Sequence, residues 1–179
     1  MTQKRQRPQQ DEYAQYYGQY VDLVPSGDFL EILHDQRRDL IALISPLTDE
    51  QAEFRYAQGK WSIKEVIGHI TDAERIFAYR LLRISRGDKT PLPGFEQEGY
   101  ITHGNFDERP LADLLAEFSA VRESTICLVR SLGQEAWLRR GTASQKEVSV
   151  FALAFIIAGH ERHHRIILEK QYLAAAACA

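Results

Sequence analysis

The chain has 179 residues, 44% hydrophobic and 26% charged, which suits one globular domain with a true core rather than two. Its 22 Lys and Arg against 25 Asp and Glu give a formal charge of −3, which excludes a surface built to grip nucleic-acid phosphates. The two cysteines, Cys127 and Cys178, form no CxxC pair, so neither a disulfide framework nor a cysteine zinc site is expected.

Residues 1–26 read as an extension. Its Gln-, Arg- and Lys-rich start, residues 1–10, is expected to be disordered. It has no apolar segment of the kind a secretory signal needs. Tyr13, Tyr16, Tyr17 and Tyr20 follow at the spacing of a short helix or a strap laid on the core, and Pro25 ends it. The first long helix is predicted from Ser26 or Asp28, either of which can cap it, to Pro46. The second opens on a capping box, Ser62 with Glu65 three residues later. It runs to Gly87 with Ile63, Val66, Ile70, Ile76, Phe77 and Leu81 on its apolar stripe.

Residues 87–109 form the longest connection, and Pro91, Pro93, Gly94, Gly99 and Gly104 argue against a regular helix there. A loop of that length is usually functional or a crossover between parallel neighbours. The third helix is predicted from Asp107 or Glu108 and Pro110 to about Leu132, with Leu111, Leu114, Leu115, Phe118, Val121, Ile126 and Leu128 facing inward. A polar loop, residues 133–147, leads to a fourth helix from Val148 to Leu173, apolar nearly all round in its first half. Its longest apolar run, Val150 to Gly159, is half of the ~20 residues a membrane span takes. No alternating strand pattern stands out. The pattern predicts an all-α fold: a four-helix bundle over residues 27–173 with one long crossover between helices 2 and 3, and a disordered tail over residues 174–179. A cytoplasmic protein with no membrane partner follows by default.

His160 and His164, four residues apart on the fourth helix, share one face. The apolar segment before them makes burial costly without a partner, and a metal supplies one. The pair alone fits equally a solvent-facing couple. His163 is turned about 100° away and is not expected on the same ion. His69, between Gly68 and Ile70 on the second helix, alone reads as a core histidine. With the pair it completes the three-ligand set of a catalytic metal, one position left open. Imidazole nitrogen suits one divalent ion such as zinc or nickel. His160 to His164 also spells HExxH, but the long protease form wants glycine at position 167 and histidine at 170, where Ile167 and Lys170 stand. A downstream glutamate ligand has only 15 residues to come from.

The stretch Lys60-Trp61-Ser62-Ile63-Lys64-Glu65-Val66-Ile67-Gly68-His69-Ile70-Thr71-Asp72-Ala73-Glu74-Arg75 resembles the second-helix signature of the DinB-like superfamily. Ala158-Gly159-His160-Glu161-Arg162-His163-His164 resembles its fourth-helix signature, and Pro91-Leu92-Pro93-Gly94-Phe95 its loop. The resemblance implies a four-helix bundle with one crossover, a zinc or nickel site on His69, His160 and His164, and a homodimer. It also implies chemistry on a small molecule, with transferases that use a low-molecular-weight thiol among the characterised relatives.

From the three histidines and this resemblance together, the expected function is a metal-dependent transferase using such a thiol. The alternatives are a metal-dependent hydrolase and a non-catalytic metal-binding or dimerisation module. Glu65 and Asp72 flank His69 on its face of the helix and are candidates to orient its ring. Glu161 is a candidate base. Arg80, Arg83 and Arg86 are candidates for an anionic substrate, Gln97, Tyr100 and His103 for a pocket rim, and His34 for an extra ligand. Trp61 reads as a structural anchor. Catalytic residues are not assigned.

Overall fold

The computed structural model describes residues 7–174. Four long helices carry the fold: α2 (Phe29–Ile44), α4 (Ile63–Ser85), α6 (Leu111–Arg130) and α8 (Val150–Ile167), the last continuing as a π-helical turn through Leu173. Between them lie the short helices α1 (Gly18–Val21), α3 (Asp49–Ala52), α5 (Gln97–Gly104) and α7 (Gln134–Trp137). The caps explain the boundaries. Asp28 accepts the amides of Leu30 and Glu31 to start α2, and Ser62 and Glu65 close their reciprocal box at the head of α4. Ser149 accepts the Ala152 amide to start α8.

Helix α4 packs against α6 and α8, and α2 packs against the same two, so α2 and α4 stand at opposite corners. Two apolar clusters fill the bundle end to end. One gathers Leu33, Phe77, Leu81, Ile126 and Val150 to Ala158; the other gathers Leu40, Ile67, Leu114, Phe118 and Leu168. The chain crosses from the first to the second along α2 and α8, and from the second to the first along α4 and α6. Helices α4 and α6 are therefore parallel, and residues 87–109 bring the chain back to the end where α4 began, as a crossover must.

Where the two clusters meet, every long helix contributes a buried polar group. Arg122 of α6 is 0% exposed, with its Nε 2.8 Å and Nη2 2.7 Å from the Glu74 carboxylate of α4. Its Nη1 donates to Gln36 Oε1 of α2 at 3.0 Å, and Gln36 Nε2 donates to the Ala158 carbonyl of α8 at 2.8 Å. His69, His160 and Glu161 lie at the same level.

Several elements depart from the sequence pattern. Residues 140–149 hold a hairpin, β1 (Arg140–Ala143) paired antiparallel with β2 (Lys146–Ser149). Its two-residue turn, Ser144 and Gln145, has φ of 51° and 64°, as a type I′ turn requires. The sequence hides it because neither residue is the Asn or Gly that usually marks such a turn. The crossover is not all irregular either. Leu92 joins the hairpin through backbone bonds with Thr142 and Ser144, both 2.9 Å. Eight residues then form α5, because Glu96 caps its first amides and Asn105, at φ 48°, turns the chain at its end. The third long helix starts later than expected, after Pro110, with Phe106–Glu108 a separate 3-10 turn. Its buried stripe passes through Arg122, Thr125 and Val129 rather than Val121 and Leu128. Val148 belongs to β2, and α8 begins at Val150.

Arg7 and Pro8 are packed against the bundle rather than loose. The Arg7 guanidinium donates to the carbonyls of Val21 and Val24, and Pro8 is buried. Residues 1–6 and 175–179 lie outside the described residues. Helix α1 crosses α8 so closely that a methyl group at Gly159 would overlap the Tyr20 carbonyl. The apolar circumference of α8 is thus covered within the chain by α1, α2 and α4. Gly159→Ala should cost about 1–3 kcal/mol, since backbone cannot give way as a side-chain tip can. Gly133→Ala, with open space around it, is the control, and thermal melting of the two variants is the check. No helix among the described residues is long and apolar enough to cross a membrane.

Candidate metal centre

Helices α4 and α8 antiparallel in contact bring His69 opposite His160, with Nε2 atoms 3.1 Å apart. His164, one turn on, sets its Nε2 3.2 Å from that of His160. His69 and His160 are 4% and 5% exposed, and His164 is half-buried. Among the described residues these three are the group whose ligand atoms converge, all within 4.8 Å of one another. His163 turns away to pack on Tyr20, as its place on the helix predicts.

The rings are shaped by what surrounds them. Gly68 leaves the space that the Phe106 ring occupies, which locks the crossover onto α4 beside His69. Trp61 backs His69 with ring centroids 4.8 Å apart. Tyr20 and Phe77 meet His160 edge-on at 5.3 and 5.6 Å. Burial, and second the charge of His163, lowers His69 to about 4. Burial first and the neighbouring histidines second hold His160 and His164 well below the ordinary imidazole value. All three are neutral near pH 7, the form a metal needs.

The donor set fits a cation. Each neutral ring has one N–H, and a proton on His160 Nε2 can point to only one of its two neighbours. Three lone pairs aimed at one ion remove that conflict. A tetrahedral ion with bonds of about 2.0–2.1 Å needs nitrogens about 3.3 Å apart, close to the two spacings found. Among the described residues no sulfur or carboxylate joins the trio, and an all-imidazole set suits zinc, nickel, copper or iron.

His69 and His160 open on a cavity of about 300 Å³ lined also by Tyr16, Tyr17, Tyr20, Phe77, Phe95, Glu96, Gln97 and Ser144. The tyrosine pattern marked a strap, but nothing in it said that the strap roofs the histidines. Ser144 and Glu96 carry no sequence signal at all, since the hairpin and α5 were not legible. Of the other candidates, Gln97 lines the cavity and Tyr100 supports it by packing on Phe95 at 5.5 Å. Glu65 is used in the helix cap and pairs with Arg55 at 3.0 Å, while Asp72 pairs with Arg75 at 3.1 Å; neither bonds a histidine. Arg83 pairs with Asp88, Arg86 caps the end of α4, and His103 bonds its own helix at Gly99. His34 stands near Arg130, on the far side of Gln36.

Glu161 faces away from the trio. Its Oε1 accepts from Arg165 Nε at 3.1 Å, and its Oε2 is buried with no hydrogen-bond partner. Burial raises it to about 7 against the lowering charges of Arg122 and Arg165. The HExxH spelling therefore does not place its glutamate as the base of a metalloprotease.

The family model described as the DinB superfamily matches residues 32–168. The chain belongs to the DinB superfamily. A protein of Oceanobacillus iheyensis provisionally named a metal-dependent hydrolase is 27% identical over 124 residues, covering 68% of this chain and 70% of that one. The fold is similar to that of YfiT from Bacillus subtilis, with a TM-score of 0.75 at 14% identity over 95% of this chain and 93% of that one. YfiT is described as having an unusual four-helix bundle topology and as a metal-dependent hydrolase by inference. The fold also matches a mycothiol-dependent maleylpyruvate isomerase, with a TM-score of 0.64 at 13% identity over 81% of this chain and 61% of that one.

Proposed function

We propose that this DinB superfamily chain is a metal-dependent hydrolase of a small molecule, holding one zinc or nickel ion through Nε2 of His69, His160 and His164. The observation that carries the reading is the convergence of three neutral imidazoles, two of which, His69 and His160, stand at the wall of an aromatic cavity. When bound, such an ion lowers the pKa of the water or thiol that takes its remaining position. The provisional name of the Oceanobacillus iheyensis relative favours water.

The chain's own residues supply the rest. Three imidazoles fix the ion without neutralising its charge. Tyr20 and Phe77 keep bulk water from His160. The Tyr16 and Tyr20 hydroxyls are 3.1 Å apart, so one donates to the other and a second proton remains to meet a substrate oxygen. Burial raises the Tyr20 pKa, which keeps that phenol protonated.

A second reading is a transferase using a low-molecular-weight thiol. What favours it is that, among the described residues, no carboxylate contacts the trio to serve as base. A thiol ionised by the ion itself needs none. Cys127 is exposed and does not line the cavity, so among the described residues no cysteine supplies that thiol. The test is a panel of esters, amides and electrophiles with zinc- or nickel-loaded protein, with and without small thiols. Turnover without thiol, lost to a chelator and restored by the ion, is the expected result. Turnover only with thiol would replace hydrolysis by transfer. In cobalt-substituted protein, a spectral change on adding thiol would point the same way.

A further inference from the structure

Arg80 of α4 is 2% exposed, and among the described residues no carboxylate forms an ion pair with it. Its Nη2 donates only to neutral oxygens, the Pro93 carbonyl at 2.7 Å and Ser144 Oγ at 3.0 Å. Its guanidinium also lies 5.8 and 5.9 Å from the ring centres of Phe77 and Phe95. A buried charge without a counter-ion is costly, and side chains of this kind are usually paired. Arg122 and Arg165, the other buried arginines among the described residues, have their glutamates.

Three of the groups Arg80 touches, Ser144, Phe77 and Phe95, line the cavity that holds His69 and His160. The guanidinium therefore stands directly behind the cavity wall. Ser144 is the group through which it is felt. Its hydroxyl accepts from Arg80, so its own proton is free to donate. The hairpin turn keeps Ser144 in place at φ 51°, a backbone conformation unusual for serine, and the Leu92 carbonyl holds its amide at 2.9 Å. The Gln97 side chain adds an amide to the same cavity. Glu96 also lines it, but both its oxygens accept amides of the first turn of α5, which offsets its charge locally.

We infer that Arg80 and Ser144 form an anion-recognition subsite, and that the substrate is a small molecule carrying a carboxylate. The Ser144 hydroxyl and the Gln97 amide donate to the carboxylate, and Arg80 supplies the missing opposite charge. A single buried cation with two side-chain donors matches a monoanion; a phosphate would call for more donors and more positive charge. The inference deepens the proposed function by naming the substrate class, but the subsite is separate from the three histidines and its test does not depend on turnover.

The probe is benzoate, with benzamide as its neutral isostere, titrated calorimetrically into the full-length, metal-loaded protein. Benzoate is expected to bind at least tenfold more tightly than benzamide. Ser144→Gly, which suits the positive φ and removes the hydroxymethyl group, should weaken benzoate about tenfold and benzamide much less. Arg80→Met should weaken benzoate further; if that variant does not fold, Ser144→Gly decides. Because a carboxylate can also bind a metal, the titration is repeated on His160→Ala. Retention of most of the benzoate affinity there, with its loss in Ser144→Gly, supports the subsite even if the metal reading fails. Equal binding of the two probes, or benzoate binding lost with His160 and unchanged in Ser144→Gly, overturns it.

Discussion

Replacing His160 by alanine should strip the protein of its metal. The purified parent is expected to carry about one divalent ion per chain on its three imidazoles. In the variant, elemental analysis should find almost none. His160 is the centre of the trio: its Nε2 is the atom that lies within 3.2 Å of both partners. Without it, His69 and His164 remain as two ligands from two helices, too few to hold a borderline ion in fixed geometry. The adjacent His163→Ala is the control. It removes an imidazole of the same segment that packs on Tyr20, and it should keep the ion. Melting gives a second readout. A ligand at 1,000 times its dissociation constant adds about 4 kcal/mol to stability, so the parent should melt higher with zinc and the variant should not respond. Full metal content in His160→Ala would remove the basis of the proposed function.

What the sequence made legible was the part written in local chemistry. The box of Ser62 and Glu65 set the start of α4, and four-residue spacing placed His160 with His164. The apolar stripes gave four helices, and the Pro- and Gly-rich stretch gave the crossover. What it hid depends on contacts distant in sequence. Tyr20 roofs His160 because Gly159 lets the strap backbone sit against α8, a fit that needs both partners in view. The hairpin turns on Ser144 and Gln145, residues that adopt positive φ only because β1 and β2 are already paired. Arg122 occupies an inward position on α6, and a stripe read by hydrophobicity steps around it. Only the glutamate of α4 and the glutamine of α2 explain why a guanidinium is there.

That guanidinium sets the other large effect. Arg122→Met keeps much of the volume and the apolar stem but removes the charge from the place where four helices meet. It leaves the Glu74 carboxylate, 3% exposed, without its two-point partner, and leaves Gln36 Oε1 without its donor. Breaking one side of a buried ion pair costs about 3–5 kcal/mol, a large share of the roughly 5–15 kcal/mol that holds a domain together. Denaturant unfolding should show the free energy of unfolding falling by that amount. The double variant Arg122→Met with Glu74→Leu should recover much of the loss, since an apolar pair no longer buries a lone charge. The pH dependence has a definite sign. Burial already raises Glu161 to about 7, and the Arg122 charge is the largest influence lowering it, so removing Arg122 raises it further. An acid with a raised pKa in the folded state binds its proton more readily there than in the unfolded chain. Its cost to stability therefore grows as pH rises above the ordinary carboxylate value and reaches its limit above the raised one. The deficit of Arg122→Met should accordingly be larger at pH 8 than at pH 5 (about the two sides of that window). A deficit independent of pH would mean that Arg122 serves the core by packing alone.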